Sequence, residues 1–428
     1  MTYVEFFDKP PSENICACLT DIPERVIFIG DDRKQMERHI ANYDKILSAR
    51  GYNIEISYRS VSKSNLGFAV RVISEIVEAY DDCVFDITGG QEILLLALGM
   101  VCERYKDKNI QVHKINLRHG TVHDCDKDGN TIYKTPLALS VEENVRLFGG
   151  EVIYCDVDGE NTYKWELTPD FLKDVELVWS ICKRDVREWN AQLGVFMAIE
   201  KIGRVSEDGL TTVASRIDVE NWLENRGNLK RIADVLEPLL FTGLLTRYDD
   251  KDKSTITISY KNSQVKRCLI KAGQALEMKI FTVAKTLAEK DGSPVYTDAL
   301  NGVVIDWDGD IHDDCERGAY DTENEIDVFL MHGVVPVFVS CKNGYLSNDE
   351  LYKLNTVAER FGGEYAKKVL VANAIDEMKE NGKHLLQRAA DMGIIVIKNI
   401  QDMDDTELAK KLRNVWQASE IQEEKCRR

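Results

Sequence analysis

The chain has 428 residues, more than one hydrophobic core usually organises, so two or three domains are expected. Hydrophobic residues make up 44% and charged residues 30%, a soluble globular composition, and no apolar run approaches the roughly 20 residues a membrane helix needs. The net charge of −18 argues against a passive binder of nucleic-acid backbone, though not against an enzyme whose clustered carboxylates hold divalent cations.

The N-terminal stretch MTYVEFFDKPPSEN places acidic residues and prolines where a signal peptide needs a basic and then an apolar region, so a cytoplasmic location and no membrane partner are expected. From residue 25 to about 150, strand and helix signals alternate. RVIFIG is a short buried strand running into Gly-Asp-Asp, and the helix after it presents Met36, Ile40, Tyr43 and Leu47 on one face. NIEISYRSV alternates as a strand, and FAVRVISEIVEAY returns to helical spacing through Val72, Ile73, Ile76, Val77 and Tyr80. CVFDIT, QEILLLALGMVCERY and IQVHKINL complete a strand, helix, strand series. Such alternation predicts βαβ units and a mostly parallel, Rossmann-like sheet over residues 1–150.

Residues 151–265 read differently. EVIYCDVDGENTYKWEL suggests a hairpin turning at Asp158-Gly159, helices follow, and LLTRYDDKDKSTITISY suggests two strands around a charged turn. This connector fits either a winged-helix-like unit or a plain helical spacer. Residues 266–428 open with the helix GQALEMKIFTVAKTLAEK. The strands GVVIDWDGD, NEIDVFLMHG and VVPVFVSCKNG, the helix NDELYKLNTVAERFG, and the strands AKKVLVANA and GIIVIKNI then predict a second α/β domain.

Two constellations carry chemistry. In VFDITGGQE the carboxyl end of a buried strand meets Gly89 and Gly90, which let a phosphate or ribose approach backbone N–H groups at the start of a helix. Thr88 offers a hydroxyl donor there, and the loops GDDR (30–33) and SVSKSN (60–65) leave their strands at the same edge. No GxGxxG or GxxxxGK[ST] is present, so neither an ordinary dinucleotide fold nor a phosphate loop is expected. In the C-terminal domain Asp327 begins one strand and Lys342 ends the next. Phosphodiester cleavage of this type needs carboxylates to hold Mg²⁺ or Mn²⁺ and a lysine to meet charge developing on the phosphate. Glu277, on the preceding helix, offers a further carboxylate.

Other signals are absent or bland. Eleven cysteines form no CxxC pair (Cys16 and Cys18 come nearest), and seven histidines show no HExxH. His113, His119 and His123 touch a ligand or simply cap the sheet. No GxSxG appears. Asp306, Asp308 and Asp310 mimic calcium-loop spacing without its final Glu and read as a solvated turn.

The DITGG turn in its strand–helix context resembles the CRISPR-associated Rossmann-fold (CARF) domain. The resemblance implies that Asp31, Ser62, Asn65, Thr88, Gly89, Gly90 and Gln91 line a pocket for a cyclic oligoadenylate, shared by two subunits of a homodimer about a two-fold axis. Helix–strand–strand with Glu277, Asp327 and Lys342 resembles the PD-(D/E)xK restriction-endonuclease fold. GQALE, NEIDV, PVFVSCKNG and LYKLNTVAERFGG extend that likeness to the CARF-fused CRISPR ancillary nucleases of type III antiviral defence. These are activated by cyclic oligoadenylate, commonly the tetra-adenylate, and cut DNA, RNA or both. Ser340 stands where the motif has Glu or Asp. Coordination would then rest on Asp327, a backbone carbonyl near Cys341, and an acid among Glu325, Glu277 and Glu350. The alternatives are a CARF winged-helix regulator that binds nucleic acid without cutting it, and a degenerate nuclease domain kept for dimerisation.

Overall fold

The computed structural model describes residues 1–7, 11–62, 64–117, 121–125, 137–154, 161–224, 229, 231–252, 254–309, 323–344, 346–363, 365–373, 375 and 379–426. The first sheet is built from β1 (Thr2–Phe6), β2 (Arg25–Gly30), β3 (Glu55–Ser60), β4 (Asp82–Asp86), β5 (Asn109–Asn116) and β6 (Thr121–Asp124), in the order β3-β2-β1-β4-β5-β6. All pairs are parallel except β5 with β6. Helices α1 (Pro11–Asp21), α2 (Arg33–Ala49), α3 (Leu66–Ala79) and α4 (Glu92–Arg104) make the crossovers. The Rossmann-like expectation holds, with one correction. RVIFIG is the second strand, because MTYVEFF forms a fully buried β1 at the centre of the sheet. A charged Glu5 interrupts its apolar run, which hides the strand from a periodicity reading.

After α5 (Val141–Leu147), β7 (Glu151–Ile153) does not open a hairpin as expected. It pairs antiparallel with a strand of the C-terminal sheet, Val152 opposite Ile305. The expected turn at Asp158-Gly159 lies outside the described residues. The connector comprises α6 (Pro169–Cys182), α7 (Val186–Ile202), β8 (Arg204–Val205), β9 (Thr211–Ser215), α8 (Arg216–Leu223), α9 (Ala233–Phe241), β10 (Leu245–Asp249), β11 (Thr255–Tyr260) and α10 (Ser263–Ile270). The run α7-β9-α8-α9 closed by the β10–β11 ribbon is a winged-helix arrangement, so a plain helical spacer is ruled out.

The C-terminal unit contains α11 (Gln274–Thr286), β12 (Asp298–Asp306), β13 (Glu323–His332), β14 (Val335–Lys342), α12 (Asn348–Gly362), β15 (Lys367–Ala372), α13 (Glu380–Asp391), β16 (Ile394–Lys398) and α14 (Asp405–Cys426). Its sheet runs β16-β15-β14-β13-β12-β7. The turn at 306–309 is less solvated than expected: Asp306 is buried and accepts the Gly309 N–H at 2.6 Å, Asp308 is exposed, and Asp310 lies outside the described residues.

One apolar core passes from Tyr3, Phe28 and Tyr43 through Val145 and Leu147 of α5 to Phe329, Phe338 and Phe361. The first and third units are therefore packed as one body through α5. Asn144 donates to the Phe361 carbonyl at 2.8 Å, Arg360 donates to the Phe148 carbonyl at 2.6 Å, and Arg50 pairs with Glu143 at 2.6 Å. No described helix is long and apolar enough to cross a membrane.

Candidate ligand-binding edge and active site

The carboxyl ends of β2, β1 and β4 lie side by side, and the TGG turn leaves β4 at this edge. Gly90 takes φ 102°, and a Cβ there would sit 2.4 Å from the Phe6 Cβ. Only glycine lets the turn close against β1. Gln91 precedes α4 and donates from Nε2 to Asp31 Oδ1 at 3.0 Å, tying the loop after β2 to the TGG turn. Ser62 and Asn65 are exposed on the loop after β3.

Two of the expected pocket residues are engaged locally. The Thr88 hydroxyl donates to Asp86 and accepts the Ile115 N–H at 2.6 Å, so it holds β4 to β5 rather than offering its proton to a ligand. Asn65 caps α3, accepting the Phe68 N–H at 2.9 Å. His113 is buried in the middle of β5, between β4 and β6, with Nδ1 2.8 Å from the Tyr3 hydroxyl. His119 lies outside the described residues.

Sequence reading missed the acid pair beneath the turn. Glu5 and Asp86 are register partners on β1 and β4, both buried, and Glu5 Oε1 and Asp86 Oδ2 find no hydrogen-bond partner among the described residues. Burial pushes Asp86 up to about 6, against the Thr88 hydrogen bonds, and burial and then the charge of Asp86 raise Glu5 well above its ordinary range. A carboxyl raised on folding keeps a proton that the unfolded chain has lost. Its stabilising effect is complete below about pH 4 and disappears as pH rises through 6. Asp86→Asn is therefore expected to raise stability at pH 8 by up to about 3 kcal/mol, and to do little at pH 4. Thermal unfolding of both chains across that range checks it, and an equal gain at both pH values would reject it.

In the C-terminal unit, Asp327 of β13 accepts the Cys341 N–H at 2.6 Å and the Ser340 hydroxyl at 3.2 Å, both on Oδ2. Lys342 Nζ lies 3.9 Å from that oxygen and 2.9 Å from Glu350 Oε2 of α12. These side chains face a cavity of about 370 Å³ between β13, β14 and α12. Burial works against the Lys342 charge, but Asp327 and Glu350 overcome it and raise its pKa. Glu350 is lowered by Lys342 against the effect of burial. Glu277 is buried on the first turn of α11, behind the left-handed Gly273. Burial and then the charge of Asp327 push it up to about 8, and its Oε2 has no hydrogen-bond partner among the described residues. Burial also raises Asp327, with Lys342 acting in the opposite sense. Glu325 pairs with Lys271, a contact the sequence did not suggest.

The expected metal set of Asp327, Glu277, Glu325 and Cys341 does not gather round one point. Among the described residues no three His, Cys, Asp or Glu do so. Cys341 enters through its N–H, held by Asp327. The donor chemistry nevertheless suits a hard cation, since the partly exposed Asp327 carboxylate repels that of buried Glu277, which has an orphaned oxygen.

No protein-family model matches the chain, and no curated protein matches it in sequence. Solved structures do. Protein VC1899 from Vibrio cholerae is similar over 97% of this chain and 98% of its own, with a TM-score of 0.71 at 17% identity. Can2 from Sulfobacillus thermosulfidooxidans, solved with cyclic tetra-adenylate, is similar over 97% of this chain and 99% of its own, with a TM-score of 0.63 at 14% identity. From end to end, the chain has the fold of these two proteins: a Rossmann-like domain leading through a winged-helix-like connector to a second α/β domain.

Proposed function

We propose that this chain is a metal-dependent endonuclease switched on by a cyclic oligoadenylate, cyclic tetra-adenylate in the first instance, acting on DNA or RNA in cytoplasmic type III CRISPR defence. The observation that carries the reading is Lys342 beside Asp327, in a fold shared over 97% of the chain with a protein that binds cyclic tetra-adenylate. Asp327 and Glu277 would hold Mg²⁺ or Mn²⁺, with Glu325 nearby. When bound, the cation supplies a water acidified enough to attack a phosphate. Lys342, kept protonated by Asp327 and Glu350, presents positive charge where the phosphate gains negative charge. Ser340 and the Cys341 N–H orient Asp327.

The reading also includes activation at a distance. Helix α12 carries Glu350 at its first turn, and at its other end Phe361 and Arg360 bond to Asn144 and Phe148 beside the CARF-type domain. A shift of α5 would thus reach the Lys342–Glu350 pair through a packed helix. Plasmid and single-stranded RNA incubated with the protein, Mn²⁺ and cyclic tetra-adenylate are expected to be cut only when both additives are present. Binding without scission would favour the winged-helix regulator.

A homodimer is part of this proposal. On α4, next to the TGG turn, Leu95, Leu96 and Met100 are 37%, 57% and 44% exposed. An apolar helix face beside a pocket for a two-fold symmetric ligand suits an isologous contact. Leu96→Glu with Met100→Glu is expected to halve the sedimentation mass and to weaken ligand binding on the order of tenfold or more. A wild-type mass of one chain, with and without ligand, would remove the dimer from the proposal.

A further inference from the structure

A cavity of about 640 Å³ lies between the connector and the active-site sheet, within the range of small-ligand sites. Tyr163, Trp165 and Trp222 line it, with Lys201, Arg267 and Lys271. Glu200 and Glu325 line it too, so the cations outnumber the acids only three to two, against a chain whose net charge is −18. The rings form an ordered wall. Arg267 sits 4.1 Å over the Tyr163 ring, Tyr163 meets Trp165 edge-on at 4.8 Å, and Trp165 stacks on Phe171 at 5.5 Å. The Trp165 indole N–H is buried and finds no acceptor among the described residues.

This cavity is connected to the site. Glu325 lines both cavities, and lies two residues from Asp327, about 7 Å along the strand. Gln274, in the cavity wall, donates to Asn301 at 2.7 Å, and Asn301 donates to the Asp327 carbonyl at 2.9 Å. Trp165 and Trp222 pack against the connector's core on one side and border this open volume on the other.

We infer that this cavity is a subsite that receives one unpaired nucleobase of the strand whose phosphate lies at Asp327 and Lys342. Aromatic faces and an Arg plane stack on any base, the cations attract the backbone, and the Trp165 N–H meets a base acceptor. A paired base inside a duplex shows only its edges, so the occupant is single-stranded or flipped out. The inference rests on the nuclease reading for the position of the phosphate, and its test is independent of cleavage.

The full chain with cyclic tetra-adenylate, in EDTA so that nothing is cut, is titrated with a short oligothymidylate, an abasic deoxyribose-phosphate chain of equal length, and duplex DNA, following tryptophan fluorescence. The oligothymidylate is expected to quench the signal and bind tighter than the abasic chain or the duplex. Trp222→Leu and Arg267→Gln are each expected to weaken it about tenfold, with unfolding temperature and activator binding unchanged. Equal binding of the abasic chain, or wild-type affinity in both variants, overturns the subsite. If the oligomer quenches but Mn²⁺ produces no scission, the subsite stands and the nuclease reading fails. Scission without base-dependent quenching has the opposite meaning.

Discussion

Asp327→Ala is expected to abolish cleavage while leaving binding of cyclic oligoadenylate at the distant TGG edge intact. The carboxylate does three things at once: it offers charge to a cation, it sits 3.9 Å from the Lys342 ammonium, and it accepts the Cys341 N–H. Removing it leaves that N–H unpaired, which costs about 1–3 kcal/mol locally and would confuse a loss of chemistry with a loss of order. Asp327→Asn keeps an acceptor for the N–H and removes the charge, so it separates the two. Both variants should lose at least about 10²-fold in rate, as should Lys342→Ala, because each deletes a preorganised charge at the reacting phosphate. Ser340→Ala should cost only a few-fold, since the Cys341 N–H still holds Asp327 and a neutral hydroxyl is a poor ligand for a hard cation. Initial rates on single-stranded DNA and RNA, with activator affinity measured alongside, check the series. Full activity in Asp327→Ala would place the chemistry elsewhere, and a Ser340→Ala defect as deep as that of Asp327→Ala would give the serine a direct role.

The second large effect is expected at Gly90. At φ 102° a non-glycine residue carries about 1–2 kcal/mol of backbone strain, and a methyl group would lie 2.4 Å from the Phe6 Cβ. Phe6 is fully buried on the central strand and cannot yield. Gly90→Ala should therefore rebuild the turn, break the Gln91–Asp31 bond across the edge, and reduce activator affinity on the order of 10²-fold. Gly89, whose φ is outside the left-handed region, should tolerate alanine better unless the ligand itself needs the space. Calorimetric titration with cyclic tetra-adenylate decides this, and thermal unfolding controls for global damage. Wild-type affinity in Gly90→Ala would separate the TGG turn from ligand binding.

The pattern of success and failure in reading the chain follows from the range of the interactions. Strands β2, β4 and β14 were legible because each is a short apolar run bounded by Gly, Asp or Lys, and α12 because its apolar spacing is helical over its whole length. Lys342 stood out as a charge at the end of an otherwise buried strand, whereas Asp327, expected at the start of its strand, sits in the middle of β13 because the strand extends back through Glu323 to pair with β12. The winged-helix arrangement was only half visible, since its short strands acquire meaning by pairing.

What escaped was set by contacts distant in sequence. β1 contains an acid, and its place at the centre of the sheet is decided by pairing with β2 and β4, about 20 and 80 residues away. β7 joins β12 across some 150 residues rather than folding back on its neighbour. That the Thr88 hydroxyl is occupied by Asp86 and Ile115, that Glu350 rather than Ser340 accompanies Lys342, and that three aromatic residues of the connector border a cavity next to Asp327 are likewise tertiary facts. Local periodicity and residue chemistry dictated the elements and which charges stood at their ends. Which of those charges meet, which hydroxyls are already engaged and where open space remains depended on how buried polar groups found partners once the sheets had packed.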